Sequence, residues 1–180
     1  IEDKSNTEIV AVGRKTDAFF KNRDYEVAKS YIGISERPSY DDAREIAVDL
    51  ISRFVSGEVK EISMVYTRFV SAISCVPETV KLLPFGNLAG QGGTHAEYIY
   101  EPDAQSVLGY MLPQYLVTTI YAALLQAAAS ELSSRMNAMS NATDNAQELI
   151  AKLDLHYNKV RQAGITREIT EIVGGAEALK

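Results

Sequence analysis

The sequence predicts an α/β fold, with a mostly parallel sheet layer over residues 1–102 followed by one very long C-terminal coiled-coil helix over 103–180. Three observations predict it. Short β-branched runs alternate with an amphipathic helix in the first part. Between residues 114 and 173 there is no proline, and glycine occurs only at position 164. Along that stretch apolar residues recur at alternating four- and three-residue steps, the signature of a coiled-coil seam.

The elements follow in order. Glu8-Ile-Val-Ala-Val-Gly13 is a β-branched run closed by glycine and reads as a buried strand. Thr16 is placed to cap a short helix carrying Phe19 and Phe20. Residues 27–34 read as a second strand. Ser39 and Asp42 have the spacing of a capping box. Ala43, Ile46, Ala47, Leu50, Ile51 and Phe54 then fall on one face of a helix that Gly57 stops. Residues 62–70 read as a strong strand, and residues 80–85 as another, with Pro84 near a sheet edge. Residues 86–94 form a glycine-rich loop, and 95–100 read as a strand.

Pro102 and Asp103 suit the opening of a helix, where a missing amide costs nothing and an acidic group meets the positive dipole end. Pro113 predicts a kink, and Gly174-Gly175 predicts the end. Sixty helical residues would extend about 90 Å. Leu132, Met136, Met139, Thr143, Ala146, Ile150, Leu153, Tyr157 and Val160 are spaced 4,3,4,3 without a break. After a five-residue step at Gly164, the spacing resumes at Ile165, Ile169, Ile172, Ala176 and Leu179. The stripe therefore changes phase near the tip, as expected where a partner changes. Such a helix needs a mate of comparable length, and residues 1–102 do not supply one.

Composition excludes several classes. The net charge is −6 and the pI about 5.0. Residues 1–102 carry 12 Lys and Arg against 16 Asp and Glu, and residues 103–180 carry 6 against 8, so neither half hides a basic nucleic-acid patch. One cysteine rules out an internal disulfide framework and a multi-cysteine zinc site. No unbroken run of about 18 apolar residues exists, which argues against a membrane-spanning helix. The chain opens on Ile1 and lacks a signal-peptide layout, so it reads as starting part-way through a longer protein.

The candidate chemical motifs are weak. The loop at 86–94 lacks the lysine of a phosphate-binding loop and a following helix, so it reads as a plain connection. His95 and His156 have no zinc-spaced partners. Cys75 has no histidine near it in sequence and reads as a half-buried thiol. Asn141-Ala-Thr143 matches a glycosylation sequon but lies inside a predicted helix. No catalytic, cofactor or metal residue is assigned.

Four segments of the tail carry a resemblance: Arg135-Met-Asn-Ala-Met139, Ala142-Thr-Asp-Asn-Ala146, Leu155-His-Tyr-Asn-Lys-Val-Arg-Gln-Ala163 and Ile165-Thr-Arg-Glu-Ile-Thr-Glu-Ile-Val-Gly-Gly-Ala176. They closely resemble the C-terminal helix of the gamma subunits of F-type rotary ATP synthases. Leu82-Leu-Pro-Phe85, Tyr98-Ile-Tyr-Glu-Pro-Asp103 and Leu112-Pro-Gln-Tyr115 look like the same family. The resemblance implies a Rossmann-like central domain that is not a dinucleotide enzyme, lacking here its first strand and the N-terminal helix. It implies that residues 103–180 are half of an antiparallel coiled-coil shaft. The implied function is a non-catalytic rotor stalk, coupling proton or sodium flow to ATP synthesis. The implied partners are the alpha and beta subunits, an epsilon subunit, the membrane c-ring and the missing N-terminal gamma helix. The implied location is peripheral, on the cytoplasmic face of a bacterial plasma membrane. By residue, the resemblance places Arg161, Gln162, Thr166 and Glu168 against a loop of a beta subunit. It associates Arg135 and Glu171 with stator–shaft coupling, and Tyr98 and Glu101 with the foot facing the membrane ring. The residues alone also fit a coiled-coil adapter or homo-oligomer unrelated to ATP synthesis, and the strand–helix alternation alone fits a nucleotide-dependent enzyme.

Overall fold

A computed structural model describes residues 6–86 and 100–179. The chain forms β1 (Ile9–Val12), α1 (Arg14–Lys21), β2 (Val27–Tyr31), α2 (Tyr40–Val55), β3 (Ile62–Phe69), β4 (Cys75–Leu83) and α3 (Ala104–Ala178). It divides into two compact units, Ile1–Ser134 and Arg135–Lys180. The expected strand over 95–100 lies, apart from Tyr100, outside the described residues.

The α/β class and the long terminal helix are as expected, while the strand pairing differs in part. β1 and β2 pair in parallel, and β3 and β4 pair antiparallel, each as a two-stranded sheet. The reason lies in the connections. Helix α1 bridges β1 and β2, which suits a parallel crossover. Only residues 70–74 join β3 to β4, too few for a crossover and enough for a hairpin. Sheet β4 begins at Cys75, earlier than the pattern predicts, because Pro77 interrupts the run. Pro77 is tolerated because β4 is an edge strand, where an amide need not donate to a neighbour.

Local chemistry explains most boundaries. The Ser39 hydroxyl accepts the Asp42 amide at 3.1 Å, and the Asp42 carboxylate accepts the Ser39 amide at 2.8 Å, completing the capping box. Gly57 follows α2 at φ +80°, a conformation that L side chains resist. Thr16 does not cap α1. Gly13 occupies that position at φ +98°, with no side-chain cap bond, and Thr16 lies inside the first turn. Asp103 does act at the start of α3, where its carboxylate accepts the Ser106 amide at 2.9 Å. The expected end of α3 at Gly174-Gly175 is corrected, since both glycines lie inside the helix, which runs to Ala178. Each glycine costs a helix about 1 kcal/mol and forbids nothing.

The core of the first unit joins four elements. Tyr31 from β2, Ala43, Ile46 and Ala47 from α2, Leu82 and Leu83 from β4, and Leu116, Val117 and Ile120 from α3 form one buried cluster. Tyr40 and Tyr121 stack edge to face at 5.8 Å, and Gln114 hydrogen-bonds the Tyr40 hydroxyl. The first thirty residues of α3 therefore do have a surface to lie against, contrary to the reading that the whole helix is unpartnered within the chain. Arg53 ties the layer together electrostatically, reaching Glu8 at 3.2 Å, Asp49 at 3.3 Å and Glu58 at 3.4 Å.

Candidate functional site

Helix α3 carries all the candidate interaction residues except Tyr98 and Glu101. Tyr98 lies outside the described residues. Glu101 is exposed, three residues before α3 begins.

The seam is solvent-facing from Leu132 onward. Leu132, Met136, Met139, Ile150, Leu153, Tyr157 and Val160 are between 51% and 65% exposed, and Thr143 and Ala146 are exposed as well. Long isolated helices bury no apolar surface and gain little stability in water. A row of large apolar side chains left in water is uncommon on a chain that stays alone.

The structure adds residues that the sequence reading missed. In the first unit α3 has two opposed faces. Leu116, Val117, Ile120, Ala123 and Ala128 are buried against the α/β layer. The opposite face carries Leu108, Met111, Tyr115, Thr118, Ala122 and Leu125, all exposed, and half-buried Ala129. Their steps are 3,4,3,4,3,4 and lead by a further three to Leu132. The same four–three arithmetic that identified the upper seam therefore begins 24 residues earlier. The signal was in the sequence, but the second, buried face makes this part of α3 apolar nearly all round and hides the period.

That double use of apolar residues also shows in the hydropathy of α3. One 18-residue window of α3 reaches a mean hydropathy of 1.3, apolar enough by length and composition to cross a membrane. Counting unbroken apolar runs does not detect such a window.

At the tip, Arg161, Gln162, Thr166, Glu168 and Glu171 are all exposed. At about 100° per residue, Gln162 and Thr166 share one flank of the apolar stripe, while Arg161, Glu168 and Glu171 share the other. The Thr166 hydroxyl donates to the Gln162 carbonyl at 2.9 Å. Glu171 accepts from Arg167 at 2.9 Å. Among the described residues, Arg161 and Glu168 have no ion-pair partner, so both charges are available to another chain. Arg135 is exposed and already engaged in an interaction within the chain.

No group of three or more metal-ligating side chains occurs among the described residues. An apolar groove of about 260 Å³ lies between the end of α2, the end of β4 and the foot of α3, and is lined by Ile51, Phe54, Leu83, Phe85, Leu112 and Leu116 without a polar group. Such a groove packs against side chains and has nothing with which to orient a polar substrate.

A small α/β layer feeding one helix of 75 residues, with a seam exposed along it, defines a stalk-type subunit, a class that acts by contact with other chains. The chain belongs to the ATP synthase family, whose model matches residues 1–179. It is 45% identical over 181 residues to the ATP synthase gamma chain of Desulforamulus reducens, covering all of this chain and 64% of that one. It is 47% identical over 172 residues to the ATP synthase gamma chain of Moorella thermoacetica, covering 96% of this chain and 61% of that one. The chain thus spans about three-fifths of the length of the curated relatives it matches. Among solved structures it is similar to a chain of the central stalk and c-ring of Tetrahymena thermophila mitochondrial ATP synthase, at 29% identity and TM-score 0.60, over 75% of this chain and 60% of that one. The fold is also shared with a chain of the Euglena gracilis mitochondrial ATP synthase, at 20% identity and TM-score 0.61, over 96% and 62%.

Proposed function

We propose that the chain is the larger part of a gamma-type central rotor stalk, transmitting torque between a membrane ion-driven ring and a catalytic ring of alpha and beta subunits. The exposed seam on α3 carries this reading. It needs a second helix as long as itself, and an N-terminal gamma helix is the partner that the resemblance supplies. Residues 1–102 serve as a partial Rossmann-like domain. The open edges of the two separate strand pairs fit a further strand. Residues 103–180 form half of the shaft.

The chain performs no chemistry in this reading. Its angle favours one state of each catalytic site over another, and differential contact with those states shifts their populations. Arg161 and Glu168, with Gln162 and Thr166 on the opposite flank, present different groups to the surrounding beta subunits at different angles. Arg135 and Glu171 act in coupling, and Tyr98 and Glu101 meet the membrane ring beside an epsilon subunit. The apolar content of α3 serves two packing faces in this account and no bilayer span. The complex sits peripherally at the cytoplasmic face of a bacterial plasma membrane, driven by protons or sodium ions.

Co-purification tests this. The chain, a separately expressed N-terminal gamma helix, and alpha and beta subunits are expected to assemble into a complex that hydrolyses ATP. Absence of binding under every nucleotide condition contradicts the proposal. The exposed seam also fits pairing with a second copy of the chain. Sedimentation separates the two readings, because a concentration-independent homodimer that refuses the gamma helix favours the adapter.

A further inference from the structure

Helix α3 carries hydroxyl groups of two kinds. Thr118, Thr119, Thr143, Thr166 and Thr170 each donate back to the carbonyl four residues earlier on the same helix. Such bonds satisfy the hydroxyl and connect α3 to nothing else. Ser130 and Ser133 do otherwise. The Ser130 hydroxyl donates to the Thr67 carbonyl of β3 at 3.3 Å, and the Ser133 hydroxyl donates to the Ala72 carbonyl in the β3–β4 turn at 2.9 Å. Ser130 is only 3% exposed, so its hydroxyl has no water to fall back on.

The position of these two bonds gives them a consequence. Ser130 and Ser133 lie three apart on one flank of α3, beside the apolar face formed by Leu116, Val117, Ile120 and Ala123. The first compact unit ends at Ser134, one residue further on. They are therefore hydrogen bonds between α3 and the β3–β4 hairpin within the last five residues of that unit. Apolar packing resists separation and its interdigitation resists rolling, but each contact is by itself non-directional. Hydrogen bonds are directional. A roll of about 20° carries a side-chain atom at the helix surface, 5–6 Å from the axis, through about 2 Å. That is enough to break both bonds.

We propose that Ser130 and Ser133 are positioning residues that lock the rotational phase of α3 against the β3–β4 hairpin, forming the clamp through which the α/β unit and the shaft exchange torque. This rests on the rotor-stalk reading above. It assigns to two serines a role that their bulk alone does not provide.

The test uses the full-length subunit assembled with alpha and beta subunits, with a probe fixed to the α/β unit and the ring anchored. The angular spread of the probe about each resting position reports torsional stiffness. Replacing both serines, Ser130→Ala with Ser133→Ala, is expected to leave unloaded ATP hydrolysis unchanged and to raise the angular variance about twofold, because the directional restraint is lost while the packing stays. An unchanged variance in an assembled, hydrolysing double variant overturns the clamp. Should the double variant fail to assemble, Ser133→Ala alone, at a half-buried position, decides by the same criterion. Failure of the unaltered complex to rotate at all refutes the rotor reading itself.

Discussion

Leu116 is the most deeply buried large side chain of the first unit, at 1% exposure, and it joins α3 to α2 and β4. Leu116→Ala removes buried methyl groups and leaves a cavity beside an existing groove. The expected cost is about 2–5 kcal/mol, read from urea denaturation of the chain. Ser39 is a different kind of contributor. Ser39→Ala removes one side of the capping box and is expected to cost about 1 kcal/mol by the same measurement. The caps also set a pH dependence. The Ser39 hydroxyl, and then the Ser39 amide, hold the Asp42 carboxyl below its usual range, and the Ser106 hydroxyl and amide do the same for Asp103. A depressed folded-state value means that the unfolded chain binds the proton more tightly. Both carboxylates therefore contribute stability above the ordinary carboxylate range and lose it as pH falls through their folded values. Titration followed by NMR is expected to place both midpoints below those of the same residues in short peptides.

Helix α3 shows how a single element serves two surfaces. Its seam residues are exposed in the chain by itself, so Ile150→Asp and Leu153→Asp are expected to leave the thermal unfolding of the chain within a degree or two. The same changes put a charge into a coiled-coil layer and are expected to abolish binding of the N-terminal gamma helix, measured by calorimetric titration. Leu125→Asp separates the lower stripe from the upper. It is expected to weaken that binding at least tenfold, since the stripe from Leu108 to Leu132 continues the seam. Unchanged affinity would confine the partner helix to residues above 132. The element scale also shows what was legible in the sequence. Helix α2 was legible because a capping box and a 3.6-residue period agree over sixteen residues. The start of β4 was not, because Pro77 and Glu78 interrupt its alternation, and the proline is tolerated only because of its place at an edge. Gly13 displaced Thr16 as the start of α1 for a reason visible only in the backbone, its positive φ. The lower half of the seam stayed hidden because Thr118, Ala122 and Ala129 are small or polar, and because a second apolar face overlaps the pattern. The tip residues were singled out by resemblance, and no geometric feature of the chain alone distinguishes them from a solvated helix face.

Across the whole molecule, the two compact units divide the work between holding and reaching. The first unit has a continuous core of apolar residues from two sheets and two helices. The second is a single helix whose apolar seam is exposed. In the rotor-stalk role proposed above, the chain turns. The most direct measurement fixes the ring of alpha and beta subunits to a surface, attaches a bead to the α/β unit of this chain assembled with its N-terminal gamma helix, and adds ATP. The expected result is unidirectional rotation in steps that stop when ATP is removed. A bead that only fluctuates, on a complex that hydrolyses ATP at full rate, would contradict it.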